Sequence, residues 1–137
     1  MKSSLHFVID TNTIVSALLI PDSTPRRAFD RAVDQGKILI SLAVLVELNE
    51  VLTRKKFDKY LTEEKREEFL AALVNQAKFV KITETITECR DPKDNKFLEL
   101  AVCGGADCLI SGDGDLLALH PFRGIRILPP QAFLNEF

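Results

Sequence analysis

Short apolar runs alternate with amphipathic helical patterns along this chain, and that alternation limits the fold more than any other feature. His6 to Ile9 reads as a strand, with Phe7, Val8 and Ile9 together. Residues 12–19 then carry Ile14, Val15, Leu18 and Leu19 as a helical stripe, which Pro21 ends. Thr24 reads as the N-cap of a second helix, with Pro25 at its first position. That helix buries Ala28, Phe29, Ala32 and Val33 and closes at Gly36. Lys37 to Ile40 is a second strand, and Ser41 caps a helix through Leu52. Residues 54–61 read as a basic helical connection. Thr62 caps the next helix, with Glu63 and Glu64 at its positive end and Phe69, Leu70, Leu73, Val74 and Ala77 as its stripe. Phe79 to Ile82 is a third strand. Asp91-Pro92 opens a helix with Phe97, Leu98, Ala101 and Val102 inward, closed by Gly104-Gly105. Cys108 to Ile110 and Ile125 to Leu128 are the last two strands.

Such alternation implies a three-layer α/β/α sandwich around a mostly parallel sheet of about five strands. A chain of 137 residues, 46% of them hydrophobic, suits one domain over residues 1–137 and is too apolar for disorder. No repeat or low-complexity tract interrupts it. Its apolar runs fall far short of the roughly 20 residues a membrane span needs. The opening residues hold one Lys and no small-residue cleavage site, so no signal peptide is expected. Cys89, Cys103 and Cys108 are odd in number and form no CxxC, which reads as reduced thiols in a cytoplasmic protein. Lys plus Arg number 18 and Asp plus Glu 20, a net charge of −2. Binding of nucleic acid by bulk positive charge is thereby excluded; a local basic patch is not.

Right-handed crossovers bring the carboxyl ends of parallel strands to one edge, where open α/β sheets bind ligands. Asp10 ends the first strand, and Asp113 and Asp115 follow the fourth in Ser111-Gly112-Asp113-Gly114-Asp115. Asp91 and Asp94 open a helix that returns antiparallel to the strands, so its start lies near the same edge. On a helical wheel Glu47 falls roughly 100° from the apolar stripe of its helix, and Glu50 roughly 200°. Glu47 can therefore border a cleft while Glu50 points to water. Each acid alone also has a structural reading: Asp10 and Asp91 as N-caps, Asp94 as a dipole partner, Asp113 and Asp115 as turn residues, Glu47 as a solvated flank. Jointly they repel, and a divalent cation relieves that cost. Oxygen ligands of this kind suit Mg²⁺ or Mn²⁺, which support phosphoryl chemistry.

Four segments together resemble a PIN domain: the first strand with Asp10-Thr11-Asn12, the helix Ser41 to Leu52 with Glu47, the segment Asp91 to Ala101, and Ser111 to Leu117. The match is to the branch labelled as toxins of toxin–antitoxin pairs. The resemblance covers nearly the whole chain. It implies a Rossmann-like sandwich and a Mg²⁺- or Mn²⁺-dependent endoribonuclease, with Asp10, Glu47, Asp94 and Asp113 as catalytic acids. Asp10, Asp94, Asp113 and Asp115 would hold metal. Asn12, Ser111 and Asp91 are supporting residues. Metal-activated water would attack the RNA phosphodiester and the 3′ oxygen would leave. An antitoxin protein and a homodimer are partners the family implies. Gly114 departs from the basic or polar residue often found between the last two acids, which removes one phosphate contact.

Substrate grip needs positive charge. Arg54, Lys55 and Lys56 offer a candidate RNA contact, and an ordinary solvated face is the other reading. Rival chemistries lack their residues. A haloacid-dehalogenase-like site needs a second Asp where Asn12 stands, and no phosphate-binding or dinucleotide glycine spacing occurs. His6 and His120 lie in no nucleophile triad and read as structural or surface residues. A non-catalytic RNA-binding or partner-regulated module that keeps its metal site is the alternative to a nuclease.

Overall fold

The computed structural model describes residues 5–137. The N-terminal stretch that argues against a signal peptide lies mostly outside them. Strand β1 (Leu5–Ile9) leads into α1 (Thr11–Leu19) and α2 (Thr24–Gln35), followed by β2 (Gly36–Ile40), α3 (Leu42–Leu52), α4 (Glu63–Gln76) and β3 (Lys78–Phe79). Helix α5 (Asn95–Gly104), β4 (Cys108–Ile110), α6 (Gly114–Leu117), β5 (Arg126–Leu128) and α7 (Pro130–Glu136) complete the chain. The five strands pair in parallel in the order β3-β2-β1-β4-β5. Helices flank this sheet, as the alternation of runs implies.

Strand alternation sorts the core into two faces. Phe7 meets the rings of Phe133 and Phe137 edge-on at 5.2 and 5.4 Å, so this face carries α7. Ile38 and Cys108 are register partners of Phe7 and share that face. Helix α7 packs in turn against α2. On the other face, a Cβ at Gly104 would lie 2.5 Å from Leu39 Cδ1, which shows how closely the end of α5 approaches β2. Gly105 then takes a left-handed conformation (φ 67°) and ends α5, as the glycine pair predicts.

Caps follow the sequence at Ser41 and Thr62, which accept from Val44 N and Lys65 N. At α2 the cap is Ser23 rather than Thr24; its Oγ accepts from Arg26 N, and Thr24 is the first helical residue. Ser23 and Thr24 are adjacent hydroxyls before Pro25, and either suits the position by type. The basic connection forms a single 3₁₀ turn, Lys55–Phe57, rather than a helix. Strand β3 pairs over two exposed residues instead of the four expected, and the chain runs irregularly to residue 91. Helices α6 and α7 have no counterpart in the sequence reading. All three cysteines are free, and Cys89 and Cys108 are buried. His120 Nδ1 accepts from Ile127 N at 2.9 Å and so secures β5, a structural role. Among the described residues no helix is long and apolar enough to cross a membrane.

Candidate active site

The strand order reverses between β1 and β4: β2 and β3 lie beyond β1 on one side, β5 beyond β4 on the other. Neighbouring carboxyl ends that lead away in opposite directions leave a crevice. Ile9 pairs with Ile110, and Asp10 N donates to Ile110 O at 3.1 Å. Asp10 therefore stands beside Ser111, across 101 residues of sequence.

Asp10 is buried, at 5% exposure. Its Oδ1 accepts from Thr13 N at 3.0 Å, which caps α1, and its Oδ2 accepts from the hydroxyl of Ser111. The cap and the site are thus the same residue. Ser111, fully buried, also accepts from Asp113 N at 2.9 Å, so one hydroxyl sets both Asp10 and the loop carrying Asp113. Asp113 caps α6 by accepting from Asp115 N at 2.9 Å. Asp91 caps the 3₁₀ turn Pro92–Asp94 by accepting from Lys93 N at 3.0 Å. Asp94 makes no cap hydrogen bond, although it holds the cap position of α5.

A cleft of about 200 Å³ gathers Asp10, Thr11, Asn12, Glu47, Asp91, Asp94 and Asp113, walled by Val51 and Phe97. A second depression, of about 420 Å³, also opens onto Asp10, Asn12 and Asp113, on the side of Ser16 and Pro130. Of the residues singled out by sequence, Asp115 and Ser111 are not in the cleft lining; Asp115 meets Asp113 through its backbone N, and Ser111 lies buried behind Asp10. Arg54 lines the cleft. Lys55 and Lys56 do not, and Lys56 Nζ lies over the Phe57 ring instead.

The electrostatics record the crowding. Burial raises the pKa of Asp10, against hydrogen bonds from Ser111 and Thr13 and with a further push from Asp113. Asp94 is raised to about 7, first by burial, then by sharing a hydrogen bond with Asp113 and by the charges of Asp113, Asp91 and Asp10. Asp113 is correspondingly lowered, as the partner that keeps its charge. Oδ2 of Asp94 is buried with no hydrogen-bond partner. Such an atom is costly in a protein interior. A cation would satisfy it, and the oxygen donors present fit Mg²⁺ or Mn²⁺. As the side chains stand, no three His, Cys, Asp or Glu among the described residues enclose an ion.

Glu47 reaches the cleft as its wheel position implies, but it is already engaged. Thr11 Oγ1 donates to its Oε1 at 2.6 Å and Lys96 Nζ to its Oε2 at 3.0 Å. Thr11, Lys93 and Lys96 are site residues that sequence reasoning passed over. Lys96 carries no signal in a helix read from Asp91-Pro92; with α5 starting at Asn95 it falls in the first turn, where the helix dipole disfavours a cation.

The PIN domain family model matches residues 6–115, which include every acid of the cleft. The chain is 30% identical to an uncharacterized protein of Methanocaldococcus jannaschii over 99% of its own length and 94% of the relative's. Among solved structures it is similar to VapBC2 from Rickettsia felis bound to a DNA fragment from the promoter, at TM-score 0.64 and 15% identity over 90% of this chain and 97% of that one. It is also similar to DNA-bound VapBC from Salmonella typhimurium, at TM-score 0.58 and 18% identity over 92% and 98%. The switch-point carboxylates, the parallel sheet that places them and the extent of the family match lead to one conclusion: the chain belongs to the PIN domain family.

Proposed function

We propose that this protein is a divalent-metal-dependent endoribonuclease, the toxin of a toxin–antitoxin pair, acting in the cytoplasm as one domain. The observation that carries the reading is the junction of Asp10, Asp94 and Asp113 at the switch point, with an unpartnered carboxylate oxygen on Asp94. Asp10, Asp94 and Asp113 would hold Mg²⁺ or Mn²⁺, with Asp115, outside the cleft lining, as a further acid of the same loop. When bound, the metal would supply charge neutralisation at the phosphate and a more acidic water.

The chain's own residues do the remaining work. Ser111 orients Asp10 and holds the backbone that presents Asp113. Thr11 and Lys96 hold Glu47 at the cleft wall, from where its carboxylate can orient a water. Asn12 is exposed between the two depressions that meet at Asp10 and Asp113, a continuous path suited to a polymer. Arg54 supplies positive charge at the rim for the RNA backbone. An antitoxin and a second copy of the chain are partners in this reading, supported by the resemblance of the four motifs and by the likeness in fold to VapBC proteins.

A second reading, an RNA-binding module without turnover, is favoured by one observation: both oxygens of Glu47 are occupied by protein donors. End-labelled RNA incubated with the protein in Mn²⁺, Mg²⁺ or EDTA separates the two. Metal-dependent cleavage, lost in folded Asp10→Asn and Asp94→Asn, supports the nuclease. RNA binding without cleavage in any metal supports the module.

A further inference from the structure

Lys96 stands behind the cleft wall, bonded to Glu47 and to the carbonyl of Lys93, and its placement runs against helix physics. It stands in the first turn of α5, where the N-terminal dipole is unfavourable to a cation. It is only 21% exposed, and its ammonium meets Glu47, 25% exposed, at 3.0 Å. It also donates to the carbonyl of Lys93. The ammonium is thus tied to both sides of the cleft, to α3 through Glu47 and to the turn that delivers Asp94.

We propose that Lys96 is the resident counter-ion of the site, which neutralises Glu47 and limits the centre to a single divalent cation held by Asp10, Asp94 and Asp113. The inference rests on the metal-dependent reading above. Its physical basis is the division of the acids. Glu47 has both oxygens paired with protein donors, whereas a buried oxygen of Asp94 has none. An ammonium at Glu47 relieves the same repulsion that a second cation would relieve. It also raises the potential around Glu47 against the entry of another cation. Lys96 is in this sense a positioning residue, acting on the metal centre through Glu47.

The test is Mn²⁺ binding to the full chain, followed by calorimetry and by the electron paramagnetic resonance of free Mn²⁺, with no RNA present. Wild type should bind one Mn²⁺. Lys96→Met should bind a second, or bind the first about tenfold more tightly, the scale of one screened unit charge. Lys96→Arg, which keeps charge and reach, should behave as wild type. Glu47→Gln, which leaves Lys96 unopposed, should weaken Mn²⁺ by about tenfold, and the double variant Glu47→Gln, Lys96→Met should return to wild-type affinity. The Glu47→Gln and double variants carry the test even if Lys96→Met does not fold. Two Mn²⁺ in wild type, or equal binding across the series, overturns the role of Lys96 and leaves the metal-dependent reading standing. No Mn²⁺ bound by any form overturns both.

Discussion

Asp94→Asn should make the metal-free protein more stable at neutral pH, although it removes a proposed ligand. The Asp94 carboxyl is raised from 3.8 to about 7, by burial first and then by Asp113 and the neighbouring acids. The folded chain therefore holds a proton that the unfolded chain releases between these values. The sign follows from linkage: stability is highest below pH 3.8, where both states are protonated, and is lost as pH rises through about 7. Three pKa units correspond to about 4 kcal/mol without screening. Asp94 is partly open to solvent and shares its proton with Asp113, which retains roughly 1 kcal/mol after screening. For a chain of this size that is a rise of about 3–4 °C in Tm. Urea unfolding in EDTA from pH 3.5 to pH 8 measures it: the two proteins should lie closest at the acid end, separate as pH rises to about 7, with the variant above, and keep that separation to pH 8. Added Mn²⁺ should stabilise wild type more than the variant. A variant less stable at pH 8, with the pH difference unchanged, would refute the claim that carboxylate crowding strains this site.

Phe133→Ala should cost about 3–5 kcal/mol in urea unfolding, since Phe133 is fully buried against Phe7. Ser111→Ala should cost about 1–3 kcal/mol and weaken Mn²⁺ binding by calorimetry, because Asp10 loses a buried donor and Asp113 N an acceptor. Arg54→Glu should weaken RNA binding more than Lys55→Glu with Lys56→Glu, since Arg54 alone of the three lines the cleft; filter binding across salt concentrations compares the affinities and slopes.

The alternation of apolar runs and helical stripes was enough to read a parallel α/β sheet, because strand and helix periods are local properties of the chain. Asp10, Asp113 and the start of α5 could be assigned to one edge for the same reason: parallel crossovers leave few alternatives. Glu47 was legible from its angle on a helical wheel. Helix α7 was not. Its seven residues are too few to display a period, and Phe133 earns its burial only once β1 presents Phe7. Strand β3 pairs over two residues, with one further bond from Val80 N to Ile40 O, and the run to Ile82 that local periodicity suggests does not continue the ladder. The roles inside the cleft were likewise set by the tertiary structure. Which acid takes the proton, which oxygen lacks a partner and which is held by Lys96 depend on distances between residues on different elements, 49 positions apart for Lys96 and Glu47, and neither spacing nor composition contains them. The order of strands and helices in the sequence is enough to list the carboxylates that reach this edge; packing divides them into Glu47, paired with Thr11 and Lys96, and Asp94, whose buried Oδ2 has no partner.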